Sequence, residues 1–386
     1  MRLVFVLSRV PWPLDKGDKL RAYFQMKELA KRHEITLIAL SEGEVHKEAK
    51  AKLSEFCSEI YFFKLNAFSR FFNIGAAFLS GRPFQCGYFF NATVKKRISK
   101  LINTGEYDAA FFQLVRTAEY AKGIKLRKVI DYQDALSAGL KRRAERAGTF
   151  MRLLLKTEYK RMLRYERKIF ELFDERTIIT ESDRAAIAHP AREEIHVIAN
   201  GVDTERFYPR EIRKKYDVIF AGNMSYPPNV DAAVFLVKEI LDKVKKKVPG
   251  VKLLIAGANP AKEVLRLASD NVTVSGWVDD IGEAYASARV FTAPMRIGSG
   301  LQNKLLEAMA TKLPAVTTPL ANKALKAKAG KEIMIGETAE QLAENIAALL
   351  NDSALYNSVA QAGFDFVKKN YSWESTVMKL EKVLGK

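Results

Sequence analysis

The sequence predicts an α/β protein with two tandem, doubly wound domains, each a parallel sheet with helices on both faces. Three observations support this prediction. Short apolar runs alternate with helical patterns along the chain, the alternation stops at a polar segment, 209–215, and it then begins again. With 386 residues, the chain is also too long for a single ordinary core. We expect ligands at the carboxyl ends of the strands, in a cleft across which the two domains face each other.

The first domain is predicted over residues 1–208. Short apolar runs typical of buried strands lie at Leu3–Leu7, Ile35–Leu40, Ile60–Leu65, Asp108–Gln113, Lys128–Tyr132, Thr177–Thr180 and Ile195–Ile198. Helical patterns lie between the first three strands, at Lys19–Lys31 and Glu44–Phe56. A long basic helix, Thr149–Phe173, interrupts the alternation.

The second domain is predicted over residues 209–371. Its strands are predicted at Asp217–Phe220, Lys252–Ala256, Val272–Ser275, Val290–Ala293 and Ala315–Thr318. Its helices are predicted at Val230–Val248, Glu263–Ala268, Asp280–Ala286 and Leu342–Lys369, and a last helix is predicted at Trp373–Leu384.

The net charge is +18 and uneven, because residues 1–210 hold 39 Lys and Arg against 26 Asp and Glu. Such an excess favours an anionic partner: a membrane surface, nucleic acid or phosphorylated substrates. We expect no nucleic acid, since neither zinc-ligand spacing nor an RNA-binding aromatic signature accompanies the charge. The two cysteines, Cys57 and Cys86, fit a reducing cytoplasm, and no segment has the roughly 18 apolar residues of a membrane span. We expect a cytoplasmic protein, peripheral on the inner face of the cell membrane if its anionic partner is a membrane.

A glycine turn after the predicted strand Val290–Ala293 is the strongest candidate for a binding site. The turn leads into a helix, and backbone N–H groups at a helix N-terminus bind anions. Arg296 and Lys304 flank the turn and would neutralise a diphosphate. Glu307, two turns into the helix, can bond sugar hydroxyls, so the sequence predicts a nucleotide-sugar site. The alternative is a tight turn with a solvated glutamate. The turn residues assigned to the site are Gly298, Ser299, Gly300 and Leu301.

The first strand-to-helix loop is predicted to lie on the acceptor side of the cleft. Gly17 would let the backbone approach a ligand there, and Lys19 and Arg21 are suited to hold phosphate or acceptor. The alternative for this segment is a solvated loop with a helix cap.

Two carboxylates follow the predicted strand Lys128–Tyr132. Asp131 and Asp134 lie at its carboxyl end and are suited to proton transfer or acceptor binding. Each is equally suited to cap the helix that follows.

Basic residues at 141–143 and 156–168 are interleaved with apolar residues. An amphipathic helix packed on its own sheet explains the spacing. A face that lies on a membrane surface explains it as well, because Lys and Arg dominate one side.

Together these motifs resemble the family 4 retaining glycosyltransferases of GT-B fold. The resemblance is carried by Gly17, by Ile198–Asp203 (IANGVD), by Gly298–Ala310 with Pro314, and by Tyr371–Glu374 (YSWE). Two further segments, Arg9–Arg21 and Gly222–Asp231, are similar to sugar transferases of exopolysaccharide clusters associated with PEP-CTERM sorting systems.

The resemblance implies that the C-terminal domain binds a nucleotide-sugar donor and the N-terminal domain a glycan or lipid-linked acceptor, with no cofactor and no metal. It assigns nucleotide ribose binding to Glu307 and nucleobase recognition to the loop at Val278. The last helix, 372–386, is implied to cross back to the first domain.

Two departures from the family pattern stand out. The family's first donor-binding glutamate falls at Ser299, and its basic pair after the strand that opens the second domain is missing beside Gly222. We therefore assign diphosphate neutralisation to Arg296 and Lys304.

Two rival functions also fit part of the pattern. A nucleotide-sugar epimerase of the same architecture would need acid–base residues, for which Asp131 and Asp134 are the candidates. A basic nucleic-acid-binding protein would explain the charge alone.

Overall fold

The computed structural model describes residues 1–298 and 300–385, which fall into two compact units. Unit 1 holds Met1–Ala199 and the C-terminal residues from Thr376 on; unit 2 holds Asn200–Ser375. The predicted boundary at 208/209 therefore lies too late, and the first residues of the last helix also belong to unit 2. The reason is local pairing: the Val202 N–H donates to the Tyr371 carbonyl over 2.7 Å.

Unit 1 contains a parallel sheet, and every strand predicted in the first half of the chain is confirmed. Its strands in the described residues are β1 (Arg2–Leu7), β2 (Glu34–Ser41), β3 (Glu59–Lys64), β4 (Ala109–Gln113), β5 (Arg127–Asp131), β6 (Glu175–Ile178) and β7 (His196–Val197). They pair in the order β3-β2-β1-β4-β5-β6-β7. Strand β1 is a nearly continuous apolar run because helices cover both faces of a parallel sheet.

Nine helices of the described chain connect these strands: α1 (Gly17–Leu29), α2 (Ala49–Ser54), α3 (Ala67–Ser80), α4 (Phe84–Phe89), α5 (Ala92–Thr104), α6 (Ala118–Ala121), α7 (Leu136–Arg146), α8 (Thr149–Phe170) and α9 (Glu181–Ala186). The predicted basic helix corresponds to α8, which follows α7 after only two residues.

Unit 2 contains a second parallel sheet. Its strands in the described residues are β8 (Tyr216–Ala221), β9 (Leu253–Ala256), β10 (Val272–Gly276), β11 (Ala288–Ala293), β12 (Ala315–Thr317) and β13 (Met334–Ile335). They pair in the order β10-β9-β8-β11-β12-β13. Strand β13 was not predicted, since two residues carry no periodicity.

The helices that follow are α10 (Pro227–Phe235), α11 (Leu241–Lys247), α12 (Lys262–Leu265), α13 (Ile281–Ala286), α14 (Asn303–Ala310), α15 (Pro319–Leu325), α16 (Ala339–Asn351), α17 (Ser353–Tyr371) and α18 (Trp373–Leu384). A π-helical segment, Leu236–Ile240, joins α10 to α11 within the single helix predicted there. The helix predicted over Leu342–Lys369 is two helices, because Asp352 accepts from the Leu355 N–H and caps α17.

Both sheets place the first strand of the unit in the interior, beside the fourth. The strand order therefore reverses direction between β1 and β4 and between β8 and β11. Doubly wound sheets bind ligands at such a reversal, outside the carboxyl ends of the strands. The two-domain doubly wound prediction is confirmed, and unit 2 has its expected binding position beside β8 and β11.

No helix within the described ranges is both long enough and apolar enough to span a bilayer.

In unit 1, a buried ion pair lies near the reversal in strand order between β1 and β4. Arg21 of α1 and Asp131 at the end of β5 both have fully buried side chains, with Arg21 Nε 2.6 Å from Asp131 Oδ2. Arg21 Nη2 also donates to the Ile198 carbonyl, and the Thr177 hydroxyl donates to Asp131 Oδ1. The pair ties α1, β5 and β6 together in the core of the unit.

Removing one member of this pair should strongly destabilise unit 1. Asp131→Asn leaves a buried guanidinium without its counter-charge, which typically costs about 3–5 kcal/mol in the free energy of unfolding. Lys31→Met removes an exposed pair with Glu28 and should cost less than about 1 kcal/mol. Urea denaturation of the two variants measures the difference; equal midpoints would contradict the structural role.

Candidate functional site

The candidate site lies at the carboxyl ends of β8, β9 and β11 in unit 2. Two glycines close the first two strands: the Gly222 N–H donates to the Ala256 carbonyl, and the Gly257 N–H donates to the Gly276 carbonyl. A Cβ atom on Gly257 would lie 1.6 Å from the Gly222 carbonyl oxygen, and Gly257 has φ +146°. The two loops therefore approach each other as bare backbone, which only glycine permits.

Lys304, in the first turn of α14, reaches into this position. Its ammonium donates to the side-chain oxygen of Asn229, near the start of α10. It also lies 3.9 Å from Met295 Sδ and 5.1 Å from the centre of the Phe220 ring. Burial lowers the pKa of Lys304 to about 8, although the nearby Glu307 carboxylate opposes the shift. The ammonium is thus mainly charged at neutral pH, in surroundings that favour its neutral form.

Glu307 lies one turn after Lys304 on the same helix. Its Oε2 accepts a hydrogen bond of 2.9 Å from the hydroxyl of the buried Tyr285. Burial raises the pKa of Glu307, while the Tyr285 bond and the charges of Arg206 and Lys304 act to lower it. A carboxylate held by a neutral donor in this way has a fixed orientation.

The glycine turn precedes α14. Gly298 has φ +108°, a backbone conformation that side chains disfavour, and Gln302 Nε2 donates to the Gly300 carbonyl over 3.0 Å. Gln302 stands at the N-cap position of α14 and makes no side-chain capping bond. The turn and Leu301 thus lead directly into a helix N-terminus without a side-chain cap. Ser299 lies outside the described residues.

The loop at Val278 follows β10 on the same edge of the sheet. Gly276 has φ +68°, and Trp277 is largely exposed, with its indole N–H donating to Asp279 over 3.1 Å. Asp280 ends the loop by capping α13. Because β9 separates β10 from β8, Val278 lies at one side of the Lys304 position.

Arg296 does not join Lys304. Its guanidinium forms two hydrogen bonds with Asp231, of 2.7 and 3.1 Å, and lies 3.7 Å from Glu239. Two carboxylates already compensate its charge, and it packs over the Phe235 ring. The prediction that Arg296 shares diphosphate neutralisation is therefore corrected, since its partners hold it against α10 and the π-helical segment.

Comparison with known proteins identifies this unit. Residues 215–352 match the family described as Glycosyl transferases group 1. They form a group 1 glycosyltransferase domain. The predicted resemblance to glycosyltransferases is confirmed for this unit.

Relatives of the whole chain are distant. A 44.6 kDa protein of the cps region of Klebsiella pneumoniae, described as uncharacterised, is 21% identical over 392 residues, covering 96% of each chain. A GDP-mannose-dependent α-(1-6)-phosphatidylinositol monomannoside mannosyltransferase of Mycobacterium tuberculosis is 27% identical over 228 residues, covering 52% of this chain and 58% of its own.

Solved structures match the chain over its full length. Anabaena HepE in complex with UDP and glucose has a TM-score of 0.69 at 15% identity, covering 100% of this chain and 99% of that one. TarM has a TM-score of 0.70 at 12% identity, with the same coverage. These similarities confirm the GT-B fold.

The acceptor-side residues predicted in unit 1 are not brought together as expected. Asp131 and Arg21 are buried against each other, so neither is available for proton transfer or for an acceptor; both predictions are corrected. Lys19 pairs with Asp15 over 2.8 Å. Gly17 begins α1, and a Cβ atom there would meet nothing within 4 Å, so no close approach requires glycine.

Asp134 differs from Asp131 because its side chain is exposed. Desolvation by its partly buried surroundings, together with the charges of Asp183 and Asp131, raises the pKa of Asp134 to about 6. It does not cap the following helix, since the N-cap residue of α7 is Ala135.

A cavity of about 330 Å³ lies beside Lys19, at the ends of β1 and β2. Its lining includes Arg9, Trp12, Lys16 and His46. Arg9 is held by Asp18 over 2.8 Å. The predicted first loop of unit 1 therefore borders an open cavity.

Three residues of the glycosyltransferase site were not predicted: Asn229, Tyr285 and Gly257. Asn229 lies within the segment Gly222–Asp231 that carries part of the resemblance, and Gly257 directly follows a predicted strand, so both had a signal. Tyr285 had none, because nothing in its helix indicates which carboxylate it reaches.

Within the described ranges, no three His, Cys, Asp or Glu side chains are grouped as a metal site requires.

Proposed function

We propose that this glycosyltransferase moves a sugar from a nucleotide diphosphate sugar to a glycan or lipid-linked acceptor, with retention at the anomeric carbon. The observation that carries the proposal is the partly buried Lys304 ammonium one helical turn before Glu307, at the strand-order reversal of unit 2. Similar folds support a nucleotide-sugar donor, since HepE structures contain UDP and UDP-glucose. The relative from the cps region supports a role in surface polysaccharide synthesis.

Lys304 would act on the leaving group. Negative charge builds on the diphosphate as the bond to the sugar breaks, and a preorganised cation lowers the energy of that state. The N–H groups at the start of α14 supply further donors, helped by the helix dipole. We infer that these groups compensate the diphosphate without a metal ion or cofactor.

Glu307 would hold the nucleotide. Among the described residues Tyr285 takes one carboxylate oxygen, Oε2, which leaves Oε1 to accept from the ribose hydroxyls. The loop at Val278, farther along the same edge, is our candidate for nucleobase contact. The family's first glutamate is replaced by Ser299, so we assign the sugar no carboxylate contact from that position.

Lys304→Met should abolish most turnover while the protein stays folded. Loss of one transition-state donor costs on the order of 3 kcal/mol, or about a hundredfold in rate. Replacing this partly buried charge by an apolar side chain of similar length should change the melting temperature little. A melting screen of nucleotide diphosphates first identifies the donor. The assay then measures nucleotide release from that donor, with a membrane extract as the source of acceptor.

Lys323→Met is the matched control, since Lys323 is exposed on α15. A wild-type rate for Lys304→Met would remove Lys304 from the mechanism. Donor incubated alone tests the rival enzyme: appearance of an epimerised nucleotide sugar would contradict a transferase. Proton NMR of the product reports retention.

The affinity for the nucleotide diphosphate should fall as pH rises through about 8. The pKa of Lys304 is lowered to about 8, so the unliganded protein loses this cation above that pH, whereas an ordinary lysine would keep it. The dissociation constant should rise between pH 7 and pH 9 in the wild type and stay level in Lys304→Met. Calorimetry at several pH values measures both; parallel curves would contradict the assignment.

Glu307→Gln should weaken nucleotide binding by about ten- to a hundredfold, because a hydrogen bond to a charged group contributes about 1.5–3 kcal/mol. The effect should require the ribose hydroxyls. With a 2′,3′-dideoxynucleoside diphosphate, wild type and variant should therefore bind alike. A loss of equal size for both ligands would show that Glu307 acts elsewhere.

A further inference from the structure

An exposed apolar and cationic surface lies in unit 1, on the helical hairpin formed by α7 and α8. Only Ala147 and Gly148 separate the two helices, which pack against each other. The distal half of α8 is part of the core, with Met162, Ile169 and Phe170 buried. The first turns of α8 are not part of the core. We call residues 149–156 the hairpin tip.

The hairpin tip exposes large apolar side chains in close succession. The exposed fractions are 76% for Phe150, 52% for Met151, 67% for Leu153 and 45% for Leu154. Single exposed apolar residues are ordinary, but a contiguous group marks a surface that meets another molecule. Amphipathic packing on the sheet explains the distal half of α8 and leaves the tip unexplained.

Cations surround the tip. Lys141, Arg142 and Arg143 are exposed on α7, and Arg152, Lys156 and Lys160 are exposed on α8. Glu145 is the one exposed carboxylate among the described side chains of 141–160, since Glu158 is buried and accepts from the Phe84 N–H. A groove of about 490 Å³ between the helices has four cations in its lining, Lys141, Arg152, Lys156 and Lys160, together with Glu145.

We propose that the hairpin tip inserts into an anionic lipid bilayer, with its cations among the headgroups. A bilayer surface is the partner that offers hydrocarbon directly beside a layer of phosphates, and helices with Phe and Leu on one side and Lys and Arg on the other lie at that boundary. A nucleic acid would match the cations and leave the apolar side chains in water. A protein interface would be depleted of lysine at its centre.

The contact is independent of the sugar chemistry. It rests on the exposure and charge of α7 and α8 alone, so it stands or falls separately from the proposed function. It would hold unit 1 at a surface where lipid-linked acceptors reside.

Vesicle binding tests the proposal on the full-length protein. Phosphatidylcholine vesicles are compared with vesicles that also contain phosphatidylglycerol, at low and high salt. The wild type should bind the anionic vesicles, and binding should weaken with salt. Phe150→Ser with Leu153→Ser should reduce the partition coefficient at least about tenfold, since the lost apolar contacts drive insertion.

The charge variant combines Lys141→Gln, Arg142→Gln and Arg143→Gln. It should reduce partitioning to anionic vesicles by about a hundredfold, the effect expected of three cations near such a surface. Matched controls carry the same changes elsewhere: Leu265→Ser with Met378→Ser, both half-exposed, and Lys96→Gln, Arg97→Gln and Lys100→Gln on α5. Both controls should bind as the wild type does, and melting curves verify folding.

A second readout reports insertion directly. Tryptophan in Phe150→Trp should be quenched by lipids brominated on the acyl chains, and tryptophan in Leu265→Trp should not. The proposal is overturned if the wild type ignores anionic vesicles, or if the tip and control variants bind equally. Two further results would contradict it. In one, the only effect of the serine variant is to convert a dimer to a monomer. In the other, the cations bind a nucleic-acid duplex while the protein does not bind vesicles.

Discussion

One constraint underlies the candidate site: every strand pairing in the two described sheets is parallel. Each strand must then return through a crossover, and all carboxyl ends lie along one edge of the sheet. In unit 2 the chain builds outward from β8 through β9 and β10, then starts again on the other side with β11. The crossovers leave the edge between β8 and β11 uncovered. Gly222 and Lys304 meet there because of topology, although they are distant in sequence.

The same sheet topology makes the position of the Lys304 ammonium energetically unusual. Within the described residues, the side-chain oxygen of Asn229 and, more weakly, Met295 Sδ accept from this ammonium, which also lies over the Phe220 ring. Desolvation outweighs these contacts and lowers the pKa of Lys304. Desolvation of a cation that these contacts compensate only in part costs folding free energy. Such a cost is typical of functional sites, where a later-arriving anion supplies the missing charge. The same burial that lowers the pKa of Lys304 would strengthen its attraction to a diphosphate.

In unit 1, by contrast, the charged groups near the strand reversal are already compensated within the protein. These groups include Arg21 and Asp131, which compensate each other inside the core. A fully paired carboxylate has no proton to exchange and no open face for a ligand. One cavity of unit 1 lies instead beside Lys19 and Arg9, and exposed cations line a second groove on the α7–α8 hairpin. Reactive chemistry is thus proposed for unit 2, and surface contact for unit 1.

By itself, the sequence determined the features that depend on neighbours along the chain. Alternating runs predicted nearly all the strands of both sheets, and the glycine turn predicted the start of α14 with Glu307 on it. Tertiary structure alone decided the partners. Asp131 and Arg296 had residue types and positions suited to a site, but Arg21 and Asp231 bind them; Tyr285 carried no signal. Periodicity shows which face of an element is apolar, whereas hydrogen-bond partners and exposure are set by segments far away in sequence.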